Sequence, residues 1–438
     1  MLQPSEFKQR RKQLARRIKK KSVALIASAS ASVRNRDVEY PYRQDSDFHY
    51  LTGFDEPEAV AVFAPGRKQG EYILFCREFD REKAIWTGRH AGLEGARNAF
   101  GADEAFPIDE LDKVLPGLLE NRERVYFPIG HDPKIDRQVF SAVNNVRAKV
   151  RTGVRAPFEF VSLEHLLHEQ RLIKTSHEIQ LMQKAAEVSV RAHKRAMSVC
   201  KPGKYEYEIE AELLYEFTRH GMRAPAYPCI VAGGHNACVL HYTENKDVLK
   251  DGDLLLIDAG AEYENYAADI TRTFPINGRF SESQRLLYDL VLEAQLDAIE
   301  QVRPGNRWNA PHDAAVHTLT KGLVKLGLLE GRVSKLIKDE AYKKFYMHRT
   351  GHWLGMDVHD VGEYRSDGEW RSLEPGMVLT VEPGLYVAPD CHDVDPKWRG
   401  IGIRIEDDVL VTKDGCEILT AGLPKTVAEI EAFMANPE

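Results

Sequence analysis

The sequence has no long apolar run, no excess of positive charge and few cysteines, and each absence excludes a class of protein. No stretch approaches the roughly 18 apolar residues that a membrane-spanning helix needs. The 60 basic and 67 acidic residues give a net charge of −7, which argues against a protein that binds nucleic acid by neutralising phosphates. Six cysteines in 438 residues, without a C-x-x-C pair, are typical of reduced thiols in a cytoplasmic protein. We therefore expect neither a membrane nor a nucleic-acid partner.

Three common catalytic motifs are also missing. The chain contains no H-E-x-x-H, no G-x-S-x-G and no phosphate-binding loop of the G-x-x-x-x-G-K-[ST] type. Mononuclear zinc proteolysis, serine hydrolysis and nucleotide binding by that loop therefore lack support.

The N-terminal region superficially resembles a secretory signal. A basic segment at residues 10–21 precedes SVALIASASAS at residues 22–32. Its apolar part spans only about five residues, fewer than the ~7 that such a signal needs. We instead predict a basic amphipathic helix followed by a first buried strand, Val23–Ala27.

The length predicts two or three domains. In the first part of the chain, helix-like and strand-like segments alternate, with strands predicted at 60–63 and 72–75. Residues 40–53 have no period and are interpreted as an irregular loop or an inter-subunit surface. A short helix is predicted at 108–115, ending at Pro116. A long helix with a capping box at Thr175 and Glu178 opens the second part, and we place the domain boundary at 172/173.

The stretch from Asp251 to Thr273 carries the first chemical signal. Its apolar run, Leu254–Ile257, ends on Asp258, and Asp269 follows eleven positions later. A run of this kind is a candidate buried strand, and a hairpin would bring the two acids together. Buried acids repel each other unless protons or a cation neutralise them, so a divalent metal is predicted. On this segment alone, two exposed aspartates at strand ends are an equal alternative.

A short internal repeat points the same way. A glycine, an acid and a glycine at positions 252, 258 and 260 are matched 124 residues later by the same residue types at 376, 382 and 384. The repeat suggests two equivalent strands that each deliver a carboxylate, although so few matched positions can arise by chance.

The C-terminal half adds a histidine cluster and two further acids. They are His348, His352, His359, Glu382 and Glu406. Arg404 shares one face of a predicted strand with Glu406, and the two side chains could simply pair. Four carboxylates with few histidines suit Mn²⁺, Mg²⁺, Co²⁺ or Zn²⁺. Two ions that share bridging carboxylates would balance the four negative charges.

At these residues the sequence resembles a known family. The segments DAGAEYENYAADITRTFP, HWLGMDVHDVG, LEPGMVLTVEPGLY and GIGIRIEDD resemble the metal-binding segments of aminopeptidase P, the Xaa-Pro aminopeptidases. EYPYRQDSDFHYLTGF and HYTEN extend the resemblance over most of the chain. It implies an α+β fold, with a catalytic pita-bread domain at 173–438. The N-terminal α/β domain, 1–172, would serve oligomerisation and access to the site.

The resemblance also implies the roles of individual residues. Two ions, Mn²⁺ with Co²⁺ or Zn²⁺ as alternatives, would be held by Asp258, Asp269, His352, Glu382 and Glu406. Asp269 and Glu406 would bridge the ions, and Glu382 would also accept and return the proton of the attacking water. The catalytic set would be completed by His359, which stabilises the oxyanion, by His241, which orients the substrate, and by Arg404. Substrate contacts would come from His348, Tyr386, Trp86 and Asp37, the last two reaching a neighbouring subunit.

The implied activity is removal of the first residue from peptides with proline at the second position. The enzyme would be a cytoplasmic homo-oligomer, a dimer or a tetramer. Prolidase, which cleaves only Xaa-Pro dipeptides, is the alternative activity. Methionine aminopeptidase lacks a first domain of this kind, and creatinase-like enzymes use the fold without metals. A pita-bread scaffold that only binds proteins would have lost metal acids, whereas all five matching positions are present here.

Overall fold

The computed structural model describes residues 3–437 of the protein. The chain divides between Gln170 and Arg171 into two compact units, each with its own apolar core. Among the described residues, no helix has both the length and the apolar character needed to cross a bilayer.

The first unit is a mixed sheet with helices. Its strands are β1 Ser22–Ala27, β2 Val33–Asn35, β3 Val38–Glu39, β4 Val60–Phe63, β5 Tyr72–Cys76, β6 Glu104–Pro107, β7 Arg124–Phe127 and β8 Glu159–Ser162. Its helices are α1 Pro4–Arg17, α2 Ser46–Thr52, α3 Arg81–Thr87, α4 Gly92–Asn98, α5 Leu111–Leu119, α6 Pro133–Ala148 and α7 Glu164–Leu172, in which the unit boundary falls.

Six of these strands form one sheet in the order β6-β5-β4-β1-β7-β8. Strand β1 pairs antiparallel with β4 and parallel with β7. Strands β4 and β5 are buried along their whole length, as expected for strands covered on both faces. The predicted strands at 60–63 and 72–75 are confirmed, as is the predicted first strand.

Two predictions in this unit are wrong. The segment interpreted as an irregular loop contains helix α2, capped by Asp45, whose side chain accepts the Phe48 N–H, and ended by Gly53 at φ +64°. All of its residues except Asp47 are buried, so the helix shows no amphipathic period. Helix α5 continues through Pro116, because the apolar face beyond it, Leu118 and Leu119, is buried.

The second unit contains more strands, in several small sheets. The strands are β9 Ile230–Gly233, β10 Leu254–Asp258, β11 Glu262–Tyr263, β12 Tyr266–Ala267, β13 Thr271–Pro275, β14 Arg365–Ser366, β15 Glu369–Trp370, β16 Val378–Val381, β17 Gly384–Val387, β18 Ile401–Arg404, β19 Asp407–Val411 and β20 Cys416–Ile418. The helices are α8 Ser176–Val199, α9 Glu206–Arg219, α10 Glu282–Glu300, α11 Ala310–Lys325, α12 Val333–Lys338 and α13 Val427–Ala435. The capping box predicted for α8 is confirmed: the side chain of Thr175 accepts from Glu178, and Glu178 accepts from the Thr175 N–H.

The predicted repeat corresponds to two similar strand pairs. Strands β10 and β16 begin at equivalent positions, each after a turn whose glycine has a positive φ, +84° at Gly252 and +94° at Gly376. Strand β10 pairs antiparallel with β13, and β16 pairs antiparallel with β19. Asp258 is the last residue of β10 and Glu382 directly follows β16. Each half thus delivers a carboxylate from the end of an equivalent strand.

The predicted hairpin after Asp258 is confirmed as well. Asp258 lies opposite Thr271 in the β10–β13 ladder, so Asp269 returns to the same end. Between them the chain comes so close to itself that a Cβ at Gly260 would lie 1.7 Å from the Ala268 carbonyl oxygen. Only glycine fits there, and the two acids share one end of the sheet.

Candidate metal centre

One end of the β10–β13 pair and one end of the β16–β19 pair border the same cavity, whose volume is about 1310 Å³. The structure brings all five predicted ligands to the wall of this cavity. They are Asp258, Asp269, His352, Glu382 and Glu406.

Tyr227 holds the two aspartates together. Its hydroxyl oxygen lies 2.6 Å from Asp258 Oδ1 and 2.5 Å from Asp269 Oδ1, so its single proton is shared between them. Burial, reinforced by both carboxylates, raises the pKa of Tyr227 well above its usual range and keeps it a neutral donor. Sequence reasoning missed Tyr227, because it lies outside any strand or helix period.

One donor atom from each of Asp269, His352 and Glu406 lies within 4.8 Å of the others, close enough to hold one ion. His352 Nδ1 lies 2.9 Å from the Trp353 carbonyl, an acceptor only, so Nδ1 carries a proton. His352 Nε2 faces the acids, 3.4 Å from Asp269 Oδ2 and 3.6 Å from Glu382 Oε1. The Nδ1 contact thus sets the ring so that Nε2 is the nitrogen available to a metal.

Thr271 orients a third acid. Its hydroxyl donates to Glu406 Oε2 at 2.6 Å and accepts from Arg404 Nε at 3.1 Å. Sequence reasoning missed Thr271, although it lies only two residues beyond Asp269.

Arg404 pairs across the centre rather than along its own strand. Its Nη2 donates to Asp258 Oδ2 at 2.6 Å, and its Nη1 donates to the Tyr386 hydroxyl at 3.0 Å. The simple pairing of Arg404 with Glu406, which the sequence left open, is therefore not what the structure shows.

The buried acids are not balanced by the protein's own cations. Burial raises the pKa of Glu382 to about 7, raises that of Asp258 despite Arg404, and raises that of Glu406 well above its usual range. Burial also acts to raise the pKa of Asp269, but the hydrogen bond and charge of His352 outweigh it and lower that pKa. Four carboxylates face one guanidinium and one imidazole, so the donor set fits hard or borderline divalent cations.

The other predicted residues of this unit surround the ligands. The His348 Nε2 and Tyr386 hydroxyl lie 2.9 Å apart, and burial next to Arg404 lowers the pKa of His348 to about 4. The His359 ring lies edge-on to His352 with 4.3 Å between centroids, and burial lowers its pKa. His241 is exposed at the cavity wall. Tyr386 is 2% exposed, and its hydroxyl contacts both His348 and Arg404.

Trp86 and Asp37 belong to the first unit. Trp86 is 87% exposed on the short helix α3, and Asp37 is exposed in the turn between β2 and β3. Their predicted contact with substrate stays a prediction.

Comparison with known proteins identifies the family. The model of metallopeptidase family M24 matches residues 180–413, more than half of the chain. The chain belongs to metallopeptidase family M24. This M24 metallopeptidase also matches the N-terminal domain of aminopeptidase P over residues 7–126. The activity class predicted from the sequence, a metal-dependent peptidase, is thereby confirmed.

The relatives of this M24 chain agree along its length. It is 47% identical to the Xaa-Pro aminopeptidase of Escherichia coli strain K12, over 98% of this chain and 97% of that protein. The structure of aminopeptidase PepP from Pseudomonas aeruginosa superimposes with a TM-score of 0.98 at 60% identity, covering 99% and 98% of the two chains. Zinc-substituted E. coli aminopeptidase P in complex with product gives a TM-score of 0.96 at 46% identity, with 99% and 98% coverage. These matches confirm the α+β fold, with a pita-bread domain after an N-terminal α/β domain.

In this M24 chain, a buried carboxylate holds the segment that carries His241. Glu206 is fully buried and accepts four hydrogen bonds, two on each oxygen, from donors between residues 233 and 247. Its donors are Gly233 N–H at 2.7 Å, Asn236 Nδ2 at 3.0 Å, the Tyr242 hydroxyl at 2.8 Å and Asp247 N–H at 2.9 Å. A side chain that only accepts is required at this position.

We expect Glu206→Gln to disturb His241 without touching the cavity. The NH₂ group of the glutamine would face two of the four hydrogen-bond donors and could not accept from them. These buried donors would stay unpaired, which lowers the free energy of unfolding by about 1–3 kcal/mol. We expect a fall of about tenfold in kcat/KM if His241 has its predicted role of orienting the substrate, because displacement of such a group costs roughly that much or more. Steady-state kinetics, thermal melting and metal content measure the effect. Glu210→Gln on the same helix is the control, and wild-type kinetics in the Glu206 variant would contradict the prediction.

Proposed function

We propose that this chain is a dinuclear-metal aminopeptidase that releases the first residue from peptides with proline at the second position. The observation that carries the proposal is the convergence of five metal-ligand side chains on one cavity. It occurs in a chain that matches Xaa-Pro aminopeptidases along almost its whole length.

The acids and His352 would hold two divalent ions, which we propose to be Mn²⁺. Asp269 and Glu406 would serve both ions, and Asp258 would serve one of them. When bound, such ions supply hydroxide near neutral pH and polarise the substrate carbonyl. The zinc-substituted relative supports a site that accepts more than one divalent metal.

Glu382 is the acid best placed to move the proton. Tyr227, Thr271 and Arg404 donate hydrogen bonds to the other three carboxylates, whereas within residues 3–437 the Glu382 Oε2 accepts none. Glu382 lines the cavity, and this oxygen, 3.9 Å from His348 Nδ1, can take a proton from the attacking water and return it to the proline nitrogen. His359, beside His352, would stabilise the oxyanion, and His241 would orient the substrate carbonyl.

Recognition of proline suits the neutral aromatic rings of His348 and Tyr386, which lie 5.5 Å apart between centroids. An Xaa-Pro bond has no N–H, so a site for it needs shape and neutral surfaces rather than an acceptor. The low pKa of His348 keeps its ring neutral, and the Tyr386 hydroxyl holds it in place. The ring of His348 and that of His359 would form the proline pocket, with Arg404 and Tyr386 as supports.

The size of the cavity favours peptides longer than a dipeptide. About 1310 Å³ exceeds the ~300–1,000 Å³ typical of small-molecule sites, so room remains for residues after proline. This supports an aminopeptidase rather than prolidase.

We further propose a cytoplasmic homo-oligomer, in which residues 1–172 serve assembly and access to the site. The six free cysteines suit a reducing compartment. The exposed Trp86 is a side chain of the kind enriched at protein interfaces, and it would contact substrate in a neighbouring subunit.

The decisive test compares Ala-Pro-Ala with Ala-Pro after metal removal and after return of Mn²⁺. We expect Mn²⁺-dependent release of alanine from the tripeptide, with kcat/KM at least about 100-fold above that for the dipeptide, because the volume of the cavity leaves room for residues after proline. Preference for the dipeptide would establish prolidase instead. Failure to cleave either peptide with metal restored would contradict the proposed function.

A further inference from the structure

One end of the cavity is cationic and aromatic, in contrast to the acidic centre. Arg349, Arg365 and Trp370 line this end. The guanidinium carbon of Arg365 lies 4.0 Å from the centroid of the Trp370 ring, and that of Arg349 lies 5.2 Å from it. Two positively charged side chains thus lie beside one indole ring. We name these three residues the arginine subsite.

The two charges have no acidic partner of their own. Neither Arg349 nor Arg365 forms an ion pair or a side-chain hydrogen bond with any residue in the described range 3–437. The positive charge of Arg349 acts on Asp313, but the Asp313 carboxylate already accepts a hydrogen bond from Asn309 at 2.5 Å. Two unpaired like charges beside one ring repel each other, and an anion between them would relieve the repulsion.

The position of the two guanidinium groups over the Trp370 ring leaves their N–H groups available to a ligand. A guanidinium that lies over an aromatic ring uses its face, so the N–H groups along its edge remain available for a carboxylate. The backbone of Trp370 is fixed, since Trp370 pairs with Arg365 in the β14–β15 ladder and its carbonyl accepts from Arg307 Nη1 at 2.8 Å. The backbone that carries Arg365 and Trp370 is therefore ordered before any ligand arrives.

The arginine subsite is within reach of a bound peptide. Arg349 precedes His352 by three residues, so their Cα atoms lie within about 11 Å of each other. An extended peptide advances ~3.3–3.6 Å per residue, so the first side chain or the residues just after proline can span that distance.

We propose that the arginine subsite binds a carboxylate of the substrate and makes this enzyme favour peptides that carry one near the scissile bond. The proposal rests on the proposed function, because it requires a peptide in the cavity. The carboxylate has three available sources: the side chain of the first residue, the side chain after proline, or the C-terminus of a short peptide.

Three peptide pairs separate these sources. Asp-Pro-Ala-Ala-amide against Asn-Pro-Ala-Ala-amide probes the first side chain. Ala-Pro-Glu-Ala-amide against Ala-Pro-Gln-Ala-amide probes the position after proline. Ala-Pro-Ala as free acid against its amide probes the C-terminus. In each pair the measured quantity is the ratio of kcat/KM for the charged peptide to that for its neutral partner.

We expect the ratio to fall about 5-fold in at least one pair when Arg349→Gln and Arg365→Gln are combined, the scale of an exposed charge pair. The pair that responds identifies the carboxylate. Arg279→Gln combined with Arg332→Gln is the control, because both arginines are exposed, lie outside the cavity wall and change the net charge equally. This control should keep the wild-type ratio in all three pairs.

Two results would overturn the proposal. Ratios that stay at their wild-type values in the Arg349/Arg365 variant, or that fall equally in the control, would show that the arginine subsite does not select a carboxylate. In both cases hydrolysis of the neutral peptides would leave the proposed function intact. If the wild-type protein with Mn²⁺ cleaved none of the neutral peptides, the proposed function would fail and the arginine subsite with it.

Discussion

Glu382→Gln is expected to lower kcat by about 10³-fold, within the ~10²–10⁴ range of a general acid–base group. Glutamine keeps the shape of the side chain and one oxygen, but it cannot take up the proton of the attacking water. Because Glu382 is also a predicted ligand, we expect weaker metal binding in the same variant. Turnover of Ala-Pro-Ala should therefore be measured across a range of Mn²⁺ concentrations, so that kcat is read with the centre saturated.

The exposed Glu330→Gln is the matched control for this substitution. A loss of rate that saturating Mn²⁺ restores would leave Glu382 as a ligand only. An unchanged kcat with unchanged metal binding would remove both roles from Glu382.

Asp269→Asn is expected to remove at least one ion and most of the activity. Asp269 belongs to the three-residue cluster with His352 and Glu406 and shares the Tyr227 proton with Asp258. Mutation of a residue behind a metal ligand already costs about 10–100-fold in affinity or activity, so loss of a ligand that we propose to serve both ions should cost at least about 100-fold. Metal content by elemental analysis, together with turnover, gives the direct measurement.

Asp289→Asn serves as the control for this variant, because Asp289 is exposed, lies outside the cavity wall and forms a surface ion pair with Arg285. Retention of both ions and near-native turnover in the Asp269 variant would show that Asp269 is not a ligand. A stable fold in both variants, checked by melting temperature, separates loss of metal from loss of structure.

The regular parts of the fold were predictable because local patterns specify them. The apolar run before Asp258, the capping box at Thr175 and the glycine–acid–glycine repeat all have direct counterparts in the structure. Each depends on residues close together in the chain, whose spacing and turn chemistry determine the local conformation. The hairpin that joins Asp258 to Asp269 follows from the same logic.

The parts that could not be predicted depend on neighbours distant in the chain. Helix α2 is buried on nearly every side, so the contrast between apolar and polar faces that reveals a helix is absent. Arg404 pairs with Asp258 because folding brings them together, although alternation along its own strand places it beside Glu406. Tyr227 contacts both aspartates from a segment without periodicity, and no local pattern marks it.

The way in which the two strand pairs meet has a consequence for how the enzyme is made. Within each strand pair, the paired residues are close in the sequence. The contacts between the two pairs join distant residues: Thr271 and Glu406 are 135 positions apart, and Asp258 and Arg404 are 146 apart. Contacts of such separation require closure of a long loop and form late in folding. A nascent chain can display Asp258 and Asp269 long before Glu406 has been synthesised. The capacity to cleave peptides therefore arises only after Arg404 and Glu406 have been synthesised and have reached Asp258 and Thr271.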